Sequence, residues 1–280
     1  MVLQTWRRGV SCCVALSLWA CAASGWAYSL QQDLAARYSD RDIVSVMAGE
    51  LPVTAVRQPA TIALERGIAI ILIEPGYQGL TLHAAETLAA RMNRWGWQTL
   101  LVLSPALNGA PLAADKDAAQ PDQYTDSTTS WLDANATETH ITLLLNALNQ
   151  QIADVPGYRM IIAQGMTAAQ LIKLNAEDRI APPDTLVTIT PFWPDNTTNR
   201  QLASLVKATT SPLLDITGAI NNRWEQQTRL LRRRQATTAL KMHYRQREMA
   251  TDLGGHSAIT SVFANQLSKQ IYGWTRHLGW

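Results

Sequence analysis

The stretch Tyr158–Leu174, Y-R-M-I-I-A-Q-G-M-T-A-A-Q-L-I-K-L, allows the chain few folds. Met160, Ile161, Ile162 and Ala163 form an unbroken apolar run, the pattern of a strand buried on both faces of a sheet. Gln164-Gly165 ends the run, and from Met166 to Leu174 apolar residues recur at helical spacing. A strand that turns sharply into a helix has the geometry of a nucleophile elbow, whose motif is G-x-S-x-G. On that motif Ala163 takes the first glycine, Gln164 the variable position, Gly165 the nucleophile and Thr167 the last glycine. Glycine suits the backbone of such a turn, where φ is often positive. It cannot attack a carbonyl. The turn keeps its geometry and lacks its hydroxyl.

The same alternation of buried strand and amphipathic helix recurs along the chain. Ser29–Tyr38 reads as a short helix. Ile43–Val46 and Val53–Val56 read as an antiparallel pair around the turn-prone Gly49-Glu50-Leu51-Pro52. Arg57–Arg66 is a connection. Ile68–Ile73 is a fully buried strand closed by Glu74-Pro75-Gly76-Tyr77-Gln78-Gly79, followed by a helix over His83–Trp95 that Gly96 stops. Further strands are expected at Thr99–Leu103, Leu186–Ile189, Leu213–Thr217 and within Met242–Met249. Further helices are expected at Thr137–Ile152, Arg200–Val206, Asn222–Leu240 and Ile259–His277. Strand–helix repeats of this kind give an α/β fold, a doubly wound, mostly parallel sheet with helices on both faces and an antiparallel lead-in. Ala106–Ser130 is the one long irregular stretch, and its length points to a lid, a binding loop or disorder.

The first 27 residues read as an export signal rather than as part of the fold. Arg7 and Arg8 give a positive start, Val10–Ala23 is an apolar run short for a membrane span, and Gly25-Trp26-Ala27 is a cleavage site before Tyr28. The expected location is therefore the periplasm, with no stable transmembrane segment in the mature chain. Lipidation at Cys21 is the weaker alternative, because Trp19 stands where a lipobox wants a small residue. Cys12, Cys13 and Cys21 all leave with the signal, which removes disulfide, thiolate and Cys-ligated metal chemistry. The signal also takes two of the 24 basic residues and none of the 22 acidic ones. That neutral balance gives no argument for nucleic acid or anionic lipid as the main partner.

In a doubly wound sheet the site forms where strands end at their carboxyl edge. The residues there are Glu74-Pro75-Gly76-Tyr77, Ser104, Gln164-Gly165-Met166, Thr190-Pro191 and Gly218 through Asn222. A hydrolase of this design needs a serine at the elbow, then an acid, then a histidine, in that chain order. His256, in Gly254-Gly255-His256-Ser257, stands where such a base belongs, and equally fits a loop histidine beside a helix-capping Ser257. The acid is doubtful. Asn222 offers an amide, Asp195 follows the preceding strand as a substitute, and Asp215 lies inside a strand as a structural residue. The amides of Met166 and Tyr77, near Gln164 and Gly76, are left as a two-donor pocket able to hold a carboxylate or carbonyl without cleaving it.

Other signals are weaker. L-L-R-R-R at Leu230–Arg234 reads as a solvated helix face before an anionic-partner face. His83, His140, His243, His256 and His277 have no metal-site spacing, so neither metal nor cofactor is expected. Asn135-Ala136-Thr137 and Asn196-Thr197-Thr198 match the glycosylation sequon, which means little if the host is bacterial.

The blocks R-D-I-V-S-V-M-A-G-E-L-P-V-T-A-V-R-Q-P-A, R-G-I-A-I-I-L-I-E-P-G, G-W-Q-T-L-L-V-L-S-P, A-Q-G-M-T-A-A, P-L-L-D-I-T and H-Y-R-Q, in that order and spacing, resemble domain-of-unknown-function family 3530. That is a family of exported proteobacterial proteins in the α/β-hydrolase superfamily. The resemblance runs from about Asp40 to the C-terminus. It implies a single α/β-hydrolase-like domain over residues 28–280, a periplasmic location and an elbow at Gly165, and it implies no substrate. The sequence thus points to a hydrolase-like protein without its nucleophile, binding a small molecule or an envelope protein. Two alternatives stand beside it. One is an ester or amide hydrolase with a nucleophile drawn from Ala106–Ser130, and the other an envelope scaffold built on the basic helix Asn222–Leu240.

Overall fold

The computed structural model describes residues 34, 36–39, 42–74, 79–104, 134–218, 222–249 and 260–280. Eight strands form one sheet: β1 (Ile43–Ala48), β2 (Leu51–Gln58), β3 (Gly67–Ile73), β4 (Trp97–Leu103), β5 (Tyr158–Gln164), β6 (Thr185–Ile189), β7 (Leu213–Gly218) and β8 (Tyr244–Met249). Their order is β1-β2-β4-β3-β5-β6-β7-β8. The β1–β2 and β2–β4 pairs are antiparallel, and every other pair is parallel, so the expected lead-in and doubly wound sheet are both present. The helices are α1 (Leu82–Asn93), α2 (Ala134–Gln151), α3 (Gly165–Ala176), α4 (Asn196–Ala208), α5 (Arg223–Thr238) and α6 (Thr260–His277).

The unbroken apolar runs are explained by burial on both faces. In β3, Ile68, Ile70 and Leu72 enter one core with Ile141, Leu144, Leu171, Ile172, Leu202 and Val206 of α2, α3 and α4. Ala69, Ile71 and Ile73 point the other way, into a second core with Leu88 and Met92 of α1 and Leu267, Ile271 and Trp274 of α6. A strand that contributes to two cores cannot alternate polar with apolar residues. The lead-in strands are longer than their pattern suggested. β1 runs on to Ala48 and β2 starts at Leu51, leaving Gly49-Glu50 as a two-residue hairpin turn.

One expectation about α5 is corrected. Arg232, in the middle of the L-L-R-R-R run, is fully buried rather than solvated. Its guanidinium donates to both oxygens of Asp215, at 2.9 and 3.2 Å, to Glu225 Oε1 at 2.9 Å and to Thr228 Oγ1 at 2.6 Å. Tyr244 and Gln246 of β8 donate to Asp215 Oδ2 at 2.8 and 2.9 Å. The network ties α5 to the last two strands and satisfies most donors of a buried cation, which is the condition for tolerating it. Asp215 is structural, as its place inside a strand implied. Arg233 and Arg234 do face solvent.

Among the described helices none is long and apolar enough to cross a membrane. The leader and the 106–130 stretch lie outside the described residues.

Candidate functional site

The elbow is built as the sequence implied. Gln164 ends β5 with φ −122° at the N-terminal boundary of α3, where its side chain makes no capping bond, and Gly165 then turns the chain with φ +66°. That is left-handed backbone, where a Cβ is disfavoured and glycine costs nothing. The Gly165 carbonyl accepts the Phe192 amide at 3.4 Å, which brings the segment after β6 against the turn. That segment begins at Thr190, whose φ of +44° is strained for a β-branched residue at the same carboxyl edge.

The position opposite the elbow is occupied. Glu74, the first residue after β3, is 4% exposed, and its Oε2 accepts the Thr167 amide at 3.0 Å. Burial pushes its carboxyl up to about 7, while the Thr167 amide and hydroxyl and the Met166 amide pull it down. The Thr167 hydroxyl in turn lies 3.0 Å from Ser104 Oγ, at the end of β4. Three strand ends therefore meet in one buried chain, Glu74–Thr167–Ser104. The loop that carries Glu74 is pinned where it closes: the Glu74 amide donates to the Leu80 carbonyl at 3.1 Å. Gly79 packs so tightly there that a Cβ would lie 2.4 Å from the Glu74 carbonyl oxygen.

These contacts revise the expected pocket. The Glu74 carboxyl takes the amide one residue beyond Met166, that of Thr167, and so stands in the first turn of α3 beside the expected donor. A helix N-terminus exposes unpaired amides and a positive dipole end, and a buried one needs an acceptor. Glu74 is that acceptor. The Thr167 side chain is fully buried, held between Glu74 and Ser104. Tyr77, Gly76 and His256 lie outside the described residues.

Both candidates for the acid position, Asp195 and Asn222, turn out to be helix caps. The Asp195 carboxylate accepts the Thr198 amide at 2.7 Å at the start of α4, and that bond holds its pKa below the ordinary value. The cap also explains why α4 begins at Asn196 rather than at Arg200. Asn222 Oδ1 accepts the amides of Trp224 and Glu225, at 2.9 and 3.3 Å, and so starts α5. Each side chain is committed to the start of the nearest helix. Among the described residues no group of three histidines, cysteines or acids is placed to hold a metal ion.

Glu74 was within view as the lone charged residue ending an apolar strand. Its contact with Thr167 was not. What the arrangement offers chemically is a sealed carboxyl able to take or give a proton near neutrality, beside two hydroxyls that are themselves buried.

The strand order, the parallel core and the elbow after β5 define an α/β-hydrolase fold. The chain belongs to the family described as protein of unknown function (DUF3530), whose model matches residues 27–277. No curated protein matches it. Among solved structures it is similar to Est1E from Butyrivibrio proteoclasticus, with a TM-score of 0.55 at 11% identity, covering 84% of this chain and 99% of that one. The carboxylesterase Cest-2923 from Lactobacillus plantarum WCFS1 gives 0.54 at 10% identity, over 85% of this chain and 97% of that one. Dienelactone hydrolase from Anabaena variabilis ATCC 29413 gives 0.51 at 14% identity, over 82% and 96%. Likeness at this identity establishes the fold and no activity.

Proposed function

We propose that this chain works by binding and not by hydrolysis, taking a small molecule or a protein partner in the cell envelope, to which its leader directs it. One observation carries the reading: at the elbow Gly165 has no side chain, and the buried Glu74 carboxyl accepts the Thr167 amide in the first turn of the helix that follows. In a serine hydrolase the amide after the nucleophile stays available for the oxyanion of the tetrahedral intermediate. A resident carboxylate repels a second developing negative charge. In its neutral form it still occupies the donors. The nucleophile is therefore missing from the place where this fold keeps it, and a carboxyl stands within the helix turn that would face an oxyanion.

The competing reading is an active ester or amide hydrolase, in keeping with the names of the structural neighbours. It needs a nucleophile from outside the elbow, which the sequence allows in residues 106–130. A fluorophosphonate probe separates the two. The wild-type protein is expected to remain unlabelled, and native mass spectrometry of protein taken from its host is expected to show a bound small molecule or envelope protein. Gly165→Ser combined with Glu74→Ala restores a hydroxyl and clears the amides, and is expected to take the label slowly. Labelling of the wild type overturns the binding reading.

A further inference from the structure

With a net charge of only +2, the chain does not spread its charge evenly. Between Arg223 and Arg247 lie eight of its 24 basic residues and one of its 22 acidic ones, Glu225. Glu225 is buried and paired with Arg232. Arg229 pairs with Glu248 of β8 at 3.2 Å. The inner face of α5 is accounted for by Glu225, Thr228, Arg232 and Ala236, all buried. What remains on the outer face is basic and carries no carboxylate.

The helix and the turn after it also keep large apolar side chains in water. Leu230 is 68% exposed, Leu231 43%, Leu240 84% and Met242 82%. Leu230 and Leu231 stand four and three residues before Arg234, so they share its helix face, with Arg223 at the other end of the same face. Leu240 and Met242 lie on the turn between α5 and β8, where Leu240 takes a φ of +53°.

We infer that α5 and the turn after it dock on an anionic lipid surface. Leu230, Leu231, Leu240 and Met242 enter the headgroup layer, and Arg223, Arg233 and Arg234 meet lipid phosphates. Charge complementarity chooses this occupant. A protein interface concentrates its apolar residues in a core from which charge is depleted. Here arginines stand between the apolar side chains. Long basic side chains can bury their stems and keep their heads at phosphate level, which suits a surface-lying helix. Since no described helix is apolar enough to cross a membrane, the attachment is peripheral and depends on lipid charge.

The test is co-sedimentation of the purified protein with phosphatidylcholine vesicles, with and without phosphatidylglycerol at roughly a third of the lipid. Wild type and variants share one N-terminus, so differences between them report on the helix face. The expected result is association that needs phosphatidylglycerol and is released by salt. Arg233→Gln with Arg234→Gln should weaken it roughly 30-fold, from the usual contribution of a basic residue near an anionic leaflet. Leu230→Ser with Leu231→Ser should weaken it as well. Arg94→Gln with Arg276→Gln, which removes the same charge from the end of α1 and from α6 on the other face of the sheet, should not. All these side chains are exposed, so each variant folds, and a melting curve verifies it. Absence of phosphatidylglycerol dependence, or equal loss in the Arg94/Arg276 variant, overturns the inference. Capture of an acidic protein without any vesicle binding overturns it in favour of a protein partner.

Discussion

Replacing Glu74 with glutamine separates the charge of this side chain from its shape. The carboxyl moves from an ordinary value of 4.5 to about 7 in the fold, so its ionisation is harder folded than unfolded. A group raised in this way contributes stability that is complete below the unfolded value and is lost as pH climbs through the folded one. The window is therefore pH 4.5 to about 7, and its full span is worth about 3 kcal/mol. At 4% exposure, solvent screening takes little from that figure. The contest that sets the sign is local. Amide bonds to a charged acceptor are worth about 1.5–3 kcal/mol each, and a helix N-terminus adds up to about 2. Both favour the carboxylate. Burial opposes them with a penalty of several kcal/mol per ion, and prevails.

Urea unfolding of wild type and Glu74→Gln at pH 5, 6, 7 and 8 reads this contest directly, because all other titrating groups cancel in the difference. Near pH 5 the variant should be less stable by about 1 kcal/mol, since the amide offers one acceptor where the acid had two oxygens. By pH 8 the wild type has lost its roughly 3 kcal/mol and the variant has not, so the order reverses. For a chain of this length the swing corresponds to roughly 6–12 °C in melting temperature. A difference that stays flat from pH 5 to 8 would refute the reasoning. A difference of opposite slope would show that the amides outweigh burial and that Glu74 is a permanent anion.

Two other perturbations test the assignments around the site. Arg232→Met should destabilise by about 3–5 kcal/mol, because it strands Asp215 and Glu225 without their cation; chemical denaturation measures it. Adding Asp215→Asn and Glu225→Gln to Arg232→Met should recover a large part of that loss, and no recovery would argue against charge as its cause. Asp195→Ala and Asn222→Ala should each cost about 1 kcal/mol of stability and leave probe reactivity and ligand retention unchanged. A change in binding without a change in stability would return them to the site.

What the sequence made legible was everything decided by near neighbours. The parallel strands announce themselves because β3 and β5 feed two cores at once, and apolar runs of that kind have no other use in a chain this size. Gly165 was readable because an elbow is a property of three consecutive residues. The caps were readable in principle: Asn222 stands three residues before Glu225, a spacing that marks a helix start. Glu74 and Arg232 were not readable, for one shared reason. Each owes its role to a partner far away in sequence, Thr167 for the first and Asp215 for the second, and periodicity carries no information about such pairs. Three arginines in a row look alike until the packing of α5 decides that the first of them faces inward.

On the proposed binding function, Gly165 and Glu74 become two parts of one change. A buried helix N-terminus cannot leave its amides unpaired, because each orphan donor costs as much as a lost hydrogen bond. In an active hydrolase, solvent or substrate can satisfy the amide that follows the nucleophile. Once the hydroxyl is gone and the turn is sealed, something in the chain must take that place. Glu74 is suited to it: it leaves β3 at the neighbouring strand end, and Gly79, which has no Cβ, packs directly against it. The acid would in turn be harmful beside a serine, since it would hold the donors that an oxyanion needs. Within the family, then, a hydroxyl or thiol at the position of Gly165 and an acid at the position of Glu74 should exclude each other. Sequencing relatives and tabulating the two positions checks this. A set of family members that carry serine at the first and glutamate at the second, and that hydrolyse esters, would break the link between the missing nucleophile and the carboxyl that fills its site.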